Sequence, residues 1–158
     1  MEESVLNGKH LLAVDDEPDV LTVLEEEVMQ DCPSCTFDKA TDYEGAARLI
    51  KTGNYDVVIL DIMGVRGFDL LEIAVSRNLK VAMLTAHALT PEALKKSHTM
   101  GARAYLPKDK LGEIVPFLED VLSYEFLPGW KRLLDRLEDH FNEHFGAGWK
   151  QTADLVSW

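Results

Sequence analysis

The chain has 158 residues, of which 46% are hydrophobic, and it carries a formal net charge of -12 at pH 7. This length and apolar fraction suit one domain with a full core and exclude a largely disordered chain. The acidic charge argues against direct binding of nucleic acid, because phosphate contacts need clustered Lys and Arg. No apolar run reaches membrane-spanning length and the first residues show no signal peptide, so we expect a cytoplasmic protein without a membrane partner.

Five short apolar segments, the predicted strands, alternate with segments of helical periodicity. The predicted strands are residues 10–14, 36–40, 57–60, 81–84 and 104–106. After each of them apolar residues recur every three or four positions, which predicts five helices, the last over about residues 111–124. This alternation predicts an α/β fold in which a five-stranded parallel sheet is doubly wound with helices on both faces, as a three-layer sandwich.

A helical extension is predicted after the fifth helix. Residues 127–129 read Leu-Pro-Gly, which predicts a break in the chain, and residues 130–145 have the periodicity of a sixth, amphipathic helix. Its apolar face holds Trp130, Leu133, Leu134, Leu137, Phe141 and Phe145. We therefore predict a domain over residues 8–124 and an extension over residues 125–158, which is too short for a DNA-binding or enzymatic output domain of the usual kind. The sequence leaves open whether the apolar face contacts its own domain, another protein or a second copy in a homodimer.

Two pairs of residues have the spacing of metal or redox sites, but each favours a structural interpretation. Cys32 and Cys35 lie in CPSC between a predicted helix and a strand. A redox pair normally precedes a helix, and a structural zinc site needs about four ligands, so we interpret this motif as a loop that contains proline. His140 and His144 lie four positions apart on the sixth helix. Because the sequence nominates no third ligand, a solvated helix face is the favoured interpretation.

Acidic residues follow two of the predicted strands, and other polar residues follow two more. Asp15 and Asp16 come after the first strand, Asp61 after the third, Thr85 after the fourth and Lys108 after the fifth. The carboxyl ends of parallel strands meet at one edge of a sheet, so these side chains are expected to converge. Converging carboxylates repel one another unless a cation neutralises them, and an all-oxygen ligand set suits Mg²⁺. A carboxylate beside a metal ion can act as a nucleophile toward phosphorus, with the lysine and the threonine binding the oxyanion.

These motifs resemble the receiver domain of two-component response regulators over about residues 8–124. The resemblance rests on VDDE after the first strand, LDIM after the third, LTA after the fourth and YLPK after the fifth. It implies a flavodoxin-like strand order of 2-1-3-4-5. It also implies phosphorylation by a sensor histidine kinase or a phosphotransfer protein, and a downstream protein target.

The resemblance implies a phosphoacceptor and a magnesium site. Asp61 would accept the phosphoryl group, and Asp16 and Asp61 would be direct Mg²⁺ ligands. Asp15 would act through a water molecule, and the backbone carbonyl of Met63 would be a further ligand.

The resemblance also assigns roles in phosphoryl binding and in the response to phosphorylation. Thr85 and Lys108 would contact the phosphoryl group, and Thr85 and Tyr105 would form the switch, the rotamer of Tyr105 following phosphorylation. Met63 and His87 occupy the two positions that tune dephosphorylation. Because methionine cannot hold an attacking water molecule by hydrogen bonding, we expect the phosphoryl group to be lost slowly.

The chain departs from the family pattern at two loop positions. Val65 lies where many receivers have proline, and Asp109 follows the lysine where proline is frequent. Two alternatives to a phosphorylated switch stay open: an intermediate that passes phosphate to another histidine, and an interaction module that works without phosphorylation. A phosphatase with an aspartate nucleophile is disfavoured, because its two acids would be separated by one residue whereas Asp15 and Asp16 are adjacent. We expect no enzymatic activity beyond the chain's own phosphorylation and dephosphorylation.

Overall fold

The computed structural model describes residues 4–86, 90–146 and 148–149 of the chain. The strands are β1 (His10–Val14), β2 (Thr36–Ala40), β3 (Val57–Asp61), β4 (Val81–Thr85) and β5 (Ala104–Pro107). The helices are α1 (Pro18–Asp31), α2 (Tyr43–Thr52), α3 (Gly67–Ser76), α4 (Pro91–Thr99), α5 (Ile114–Ser123) and α6 (Phe126–Phe145), and a 3-10 helix (Lys108–Glu113) precedes α5.

All five strands are parallel and lie in the order β2-β1-β3-β4-β5. Helix α1 packs beside α5, and α2 packs beside α3, so that helices cover the two faces of the sheet. The predicted fold is therefore confirmed, including its strand order and the helix that follows the domain. This order brings the carboxyl ends of β1, β3 and β4 next to one another, which is where the site described below lies.

The burial of each strand follows from its place in the sheet. Every residue of the central strands β3 and β4 is buried, as their continuous apolar sequences predict for strands covered on both faces. The edge strand β2 has no fully buried residue, which explains its polar sequence TFDKA. The other edge strand, β5, is buried at all four positions. This difference between the two edges is explained by α6, which packs against β5.

Local sequence signals explain where several helices begin. Pro18 and Pro91 occupy the first turns of α1 and α4, where a missing N–H group costs little. The side chain of Asp42 accepts a hydrogen bond from the backbone N–H of Gly45 at 2.7 Å and caps α2. Thr90 caps α4 in the same way, accepting from the N–H of Ala93 at 3.1 Å.

The predicted break at residues 127–129 was wrong by a few positions. The chain leaves the helical conformation at Tyr124 and Glu125, and α6 begins at Phe126. Pro128 lies within the first turn of α6, where backbone N–H groups have no partner inside the helix and proline therefore removes no hydrogen bond. The fifth helix also begins later than predicted, because residues Lys108–Glu113 form a 3-10 helix. No helix in the described part of the chain is long and apolar enough to cross a membrane.

The apolar face of α6 packs against the chain's own domain, which decides a question that the sequence left open. Trp130 is fully buried, and its Nε1–H donates a hydrogen bond of 2.8 Å to the carbonyl of Ala102, two residues before β5. The ring of Phe141 lies 6.2 Å from the ring of Tyr105 in β5. Arg136 in α6 also pairs with Asp120 in α5 at 3.3 Å. Burial of the aromatic and leucine side chains is the main stabilising contribution, since partly exposed ion pairs add little.

The CPSC motif forms the loop between α1 and β2, as predicted. Cys32 and Cys35 are both buried and unpaired as thiols. The Sγ of Cys35 donates a hydrogen bond to the carbonyl of Leu6 at 2.8 Å, and burial raises the pKa of this thiol. A raised pKa disfavours the reactive thiolate, which supports a packing role for the motif.

Substitutions on the two sides of α6 test this packing. Leu137 is 1% exposed on the covered face, and Leu127 is 55% exposed on the same helix. Leu137→Ala is expected to lower the free energy of unfolding by about 2 to 5 kcal/mol, because it removes buried apolar contacts and leaves a cavity. Leu127→Ala is expected to change it by less than about 0.5 kcal/mol. Urea denaturation measures both values, and a small effect of both substitutions would contradict the packing of α6 on the domain.

Candidate functional site

The predicted site residues lie at the carboxyl edge of the sheet, each directly at the end of a strand. Asp15 and Asp16 follow β1, and Asp61 is the last residue of β3. Thr85 is the last residue of β4, and Lys108 comes directly after β5. Strand register brings the last two together, because Thr85 pairs with Pro107, the residue before Lys108.

Three carboxylates form the acidic centre of this edge. One oxygen from each of Asp15, Asp16 and Asp61 lies within 4.8 Å of the others. Asp15 is fully buried and Asp61 is 4% exposed, whereas Asp16 is exposed to solvent. Two of the three charges therefore have almost no contact with water, and their mutual repulsion is weakly screened.

Lys108 is the cation that these carboxylates contact directly. Its Nζ lies 2.9 Å from Oδ2 of Asp15 and 3.3 Å from Oδ1 of Asp61. A third acid, Glu17, contacts the same ammonium group at 3.3 Å. The Lys108 side chain is 10% exposed, so it is fixed among the carboxylates rather than free in solvent. Glu17 had no predicted role, although its place in the acidic run after β1 was a visible signal.

The electrostatics of the site leave its carboxylates difficult to ionise without a further cation. Burial, and then the charge of Asp15, raise the pKa of Asp61 to about 6, against the partial compensation of Lys108. Burial also raises the pKa of Asp15, although the backbone N–H of Glu17 and the Lys108 ammonium oppose this shift. Burial lowers the pKa of Lys108, but its hydrogen bond to Asp15 and the charge of Asp61 outweigh burial and raise it. One lysine therefore does not neutralise the cluster.

Two glycines in the turn after β3 keep the acidic centre open. Gly64 has a φ of +86°, and a Cβ atom there would lie 2.5 Å from Oδ2 of Asp16. At Gly67 a Cβ atom would collide with the backbone carbonyl of Asp61. A side chain at either position would displace a carboxylate or its strand end. Sequence analysis noted these glycines only as a departure from the family loop, because their need for space arises from contacts across the fold.

The acidic centre and its glycine-lined turn fit a hard divalent cation such as Mg²⁺. The available donors are carboxylate oxygens, which Mg²⁺ prefers, and Asp16 is open to solvent so that a cation can keep several waters. The Met63 carbonyl belongs to the turn directly after β3, and the Met63 side chain is 53% exposed. His87, predicted with Met63 to tune dephosphorylation, lies outside the described residues.

A pocket of about 240 Å³ adjoins the acidic centre on the side of β4 and β5. Its lining includes Thr85, Ala86 and Lys108, together with Asp109 and His144 from the following loop and from α6. Thr85 is fully buried. The pocket thus joins the predicted phosphoryl-binding residues to the end of α6, a connection that the sequence did not indicate.

Tyr105, the predicted switch residue, is fully buried. Its hydroxyl accepts a hydrogen bond of 3.1 Å from the backbone N–H of Thr90, the residue that caps α4. Its ring lies next to Phe141 of α6. A rotation of Tyr105 toward solvent would therefore have to break the contact with α4 and displace α6.

Comparison with known proteins identifies relatives of this fold. The profile of the response regulator receiver domain family matches residues 11–118. The receiver domain of Francisella response regulator 1452 is similar at 26% identity and a TM-score of 0.59, over 70% of this chain and 96% of that one. A response regulator from Thermotoga maritima is similar at 18% identity and a TM-score of 0.65, over 73% of this chain and 98% of that one. A CheY-like receiver domain protein from Methanospirillum hungatei JF-1 is similar at 21% identity and a TM-score of 0.57, over 85% of this chain and 94% of that one. No curated protein sequence matches the chain.

The strand order and the acidic edge of the sheet are those of a CheY-like signalling fold, which the two more distant structures support at the level of fold alone. The chain belongs to the response regulator receiver domain family, because the family profile covers most of its length. Receiver domains are signalling modules of two-component systems and are generally not enzymes. They interact with histidine kinases or phosphotransfer proteins, and they typically bind Mg²⁺ at the acidic pocket.

Neutralising Asp61 should stabilise the metal-free chain. The pKa of Asp61 rises from 3.8 to about 6 on folding, so its protonated form stabilises the fold below about pH 4 and this stability is lost as the pH rises to about 6. Near neutral pH, Asp61→Asn is expected to raise the free energy of unfolding by about 1 to 3 kcal/mol. Urea denaturation in the presence of a chelator measures this difference.

The matched control is Asp69→Asn, which changes an exposed carboxylate in α3 that pairs with Arg66. We expect a change of less than about 0.5 kcal/mol for this control. The advantage of Asp61→Asn should vanish near pH 4 and should shrink when Mg²⁺ binds and stabilises the unsubstituted chain. Destabilisation by Asp61→Asn at neutral pH in the presence of chelator would contradict this electrostatic account.

Proposed function

We propose that the chain is a phosphoacceptor receiver in a two-component phosphorelay, in which Asp61 accepts a phosphoryl group from a sensor histidine kinase or a phosphotransfer protein. The observation that carries the proposal is the position of Asp61, buried at the carboxyl end of β3 with Lys108 at 3.3 Å and two further carboxylates around it. A buried acid with a raised pKa that contacts a fixed ammonium group is typical of a functional site. The proposed unit is the receiver over residues 8–124 with the extension over residues 125–158.

In the proposed reaction, a carboxylate oxygen of Asp61 attacks the phosphorus of the donor's phosphohistidine. The new O–P bond forms as the P–N bond breaks, and the donor imidazole leaves with the electron pair of that bond and takes a proton from solvent. The product is an acyl phosphate on Asp61. Only the ionised carboxylate is nucleophilic, so the raised pKa of Asp61 makes a neutralising cation necessary for reaction near neutral pH.

The proposed magnesium site uses the acidic centre. Asp16 and Asp61 are proposed as direct ligands, Asp15 as a ligand through water, and the carbonyl of Met63 as a further ligand. When bound, Mg²⁺ would favour ionised Asp61 and neutralise charge on the phosphoryl oxygens. The oxygen donor set and the space beside Asp16 that Gly64 leaves open support this assignment.

Lys108 and Thr85 are proposed to bind the phosphoryl group. Lys108 already contacts Asp61, so its ammonium group is in reach of a phosphoryl oxygen attached to that residue. Thr85 and Lys108 line the same pocket beside the acidic centre, and the Thr85 hydroxyl can donate a hydrogen bond to a phosphoryl oxygen. Neither group needs to cross the sheet edge to do so.

The proposed switch couples this chemistry to the surface formed by β5 and α6. A shift of Thr85 toward the phosphoryl group would move the segment that leads to α4, and the hydroxyl of Tyr105 contacts the first residue of that helix. Because Phe141 packs next to Tyr105, α6 would respond to the same movement. The proposed output is a change in the binding of a downstream protein. A homodimer through the C-terminal helices would require the covered face of α6 to leave its own domain.

Phosphorylation of Asp61 can be tested by incubating the chain with Mg²⁺ and acetyl phosphate and then measuring its intact mass. We expect the mass to increase by one phosphoryl group, and we expect no increase without Mg²⁺ or in the Asp61→Asn variant. The Asp69→Asn variant, altered at an exposed carboxylate, should be phosphorylated like the unsubstituted chain. If neither acetyl phosphate nor a phosphohistidine donor modifies the chain, the proposal fails and an interaction module that works without phosphorylation is favoured.

The coupling of phosphorylation to α6 can be tested separately by hydrogen exchange. Phosphorylation is expected to change the protection of the amides of residues 130–145, because Phe141 contacts the switch residue Tyr105. The Asp61→Asn variant, treated in the same way, should show no change. Equal exchange in the two states of a fully phosphorylated sample would reject the coupling while leaving the phosphoacceptor role intact.

A further inference from the structure

A second cluster of potential metal ligands lies outside the acidic centre. One ligand atom from each of Asp109, His140 and His144 lies within 4.8 Å of the others. The two histidines belong to consecutive turns of α6, and Asp109 belongs to the 3-10 helix that follows β5. The sequence nominated only the two histidines, and the fold supplies the third ligand by packing α6 against the end of β5.

The two imidazoles are held close together by contacts within α6. Their ring centroids lie 4.2 Å apart in a stacked arrangement. The Nδ1 of His144 lies 3.0 Å from the carbonyl of His140, and a carbonyl can only accept, so Nδ1 carries the proton. This hydrogen bond leaves Nε2 of His144 as the nitrogen with a lone pair, in the arrangement that commonly orients metal-binding histidines.

His140 adds a buried polar atom to the cluster. Its Nε2 is buried and has no hydrogen-bond partner among the residues that the structure describes. Burial, followed by the charges of His144 and Lys110, lowers the pKa of His140, so its imidazole is neutral at physiological pH and no proton has to leave before a metal binds. An unsatisfied buried nitrogen is costly for the fold, and coordination of a metal ion would remove that cost.

We propose that Asp109, His140 and His144 bind one Zn²⁺ ion, with a water molecule in the fourth position. Two imidazoles and a carboxylate are ligands that suit Zn²⁺, whereas the all-oxygen acidic centre suits Mg²⁺. Ligand atoms around one zinc ion lie about 3.3 Å apart, so side-chain movements of roughly an ångström would close the site.

The surrounding charges are compatible with a divalent cation. Lys110 is the nearby cation, and its Nζ pairs with Glu113 at 3.6 Å. Glu143, one residue before His144 on α6, adds a negative charge close to His140. The carboxylate of Asp109 itself supplies a second negative charge within the ligand set.

The proposed ion would join α6 to the loop that carries a phosphoryl-binding residue. Asp109 directly follows Lys108, and His144 lines the same pocket as Thr85. A bound ion would thus fix the C-terminal half of α6 over β5 and Tyr105. The zinc site itself rests on the three ligands and does not depend on whether Asp61 is phosphorylated.

Isothermal titration calorimetry of the full chain with zinc chloride, in excess Mg²⁺ to occupy the acidic centre, tests the site. We expect one ion to bind per chain. His144→Gln, at an exposed position, and His140→Gln should each weaken binding by more than about tenfold, which is the lower end of the loss from a second-shell change alone. Asp109→Asn should weaken it as well. The matched control is His10→Gln, which alters a histidine on β1 that pairs with Asp38 and should leave zinc affinity unchanged.

Thermal denaturation supplies a readout that separates the sites. Zinc should raise the melting temperature of the unsubstituted chain and of His10→Gln, but not that of the His140→Gln/His144→Gln variant. Three results would overturn the proposal: no zinc binding, unchanged affinity in the double histidine variant, or loss of zinc binding in Asp61→Asn. Cobalt(II) binding with the absorption of a thiolate complex would equally overturn it, because the ion would then be bound by Cys32 and Cys35.

Discussion

Lys108 Nζ lies 2.9 Å from Asp15 and 3.3 Å from Asp61, and the rest of the carboxyl edge depends on this buried arrangement of charges. One ammonium group holds together two carboxylates that have almost no access to water. A buried ion pair is strongly destabilising when one partner is lost, because the remaining charge stays desolvated. The cluster nevertheless keeps more negative charge than Lys108 neutralises, and the pKa of Asp61 is therefore raised. A site of this kind favours the binding of a further cation and of an anion beside it.

Helix α6 changes the character of the sheet edge next to this site. Strand β5 would otherwise be an edge strand covered on only part of its surface, but Trp130 and Phe141 bury it together with Tyr105. The same packing links three separate features: the start of α4 at Thr90, the aromatic core over β5, and the loop after Lys108. Any change at the phosphoryl-binding residues that moves one of these features has to be accommodated by the others, because closely packed interiors do not deform gradually.

Two ligand sets of different chemistry lie on either side of Lys108. Asp61 and its neighbouring acids offer only oxygen atoms, whereas His140 and His144 offer nitrogen atoms with one carboxylate from Asp109. Hard cations prefer the first set and zinc prefers the second, so the two sets can be occupied independently. The adjacency of Lys108 and Asp109 connects them through one peptide bond. The receiver fold with this extension therefore has the means to combine two inputs on one loop.

The sequence by itself determined the fold and most of the acidic site. Side chains at the carboxyl ends of parallel strands converge whatever the details of packing, so Asp61, Thr85 and Lys108 were predictable from strand patterns alone. The tertiary structure alone decided where α6 packs, where it begins, and that Asp109 lies beside His140. These features depend on contacts between segments that are distant along the chain, and local periodicity carries no record of such contacts. An amphipathic pattern fixes which face of a helix is apolar, but only the complementary surface of β5 and α5 decides what covers it.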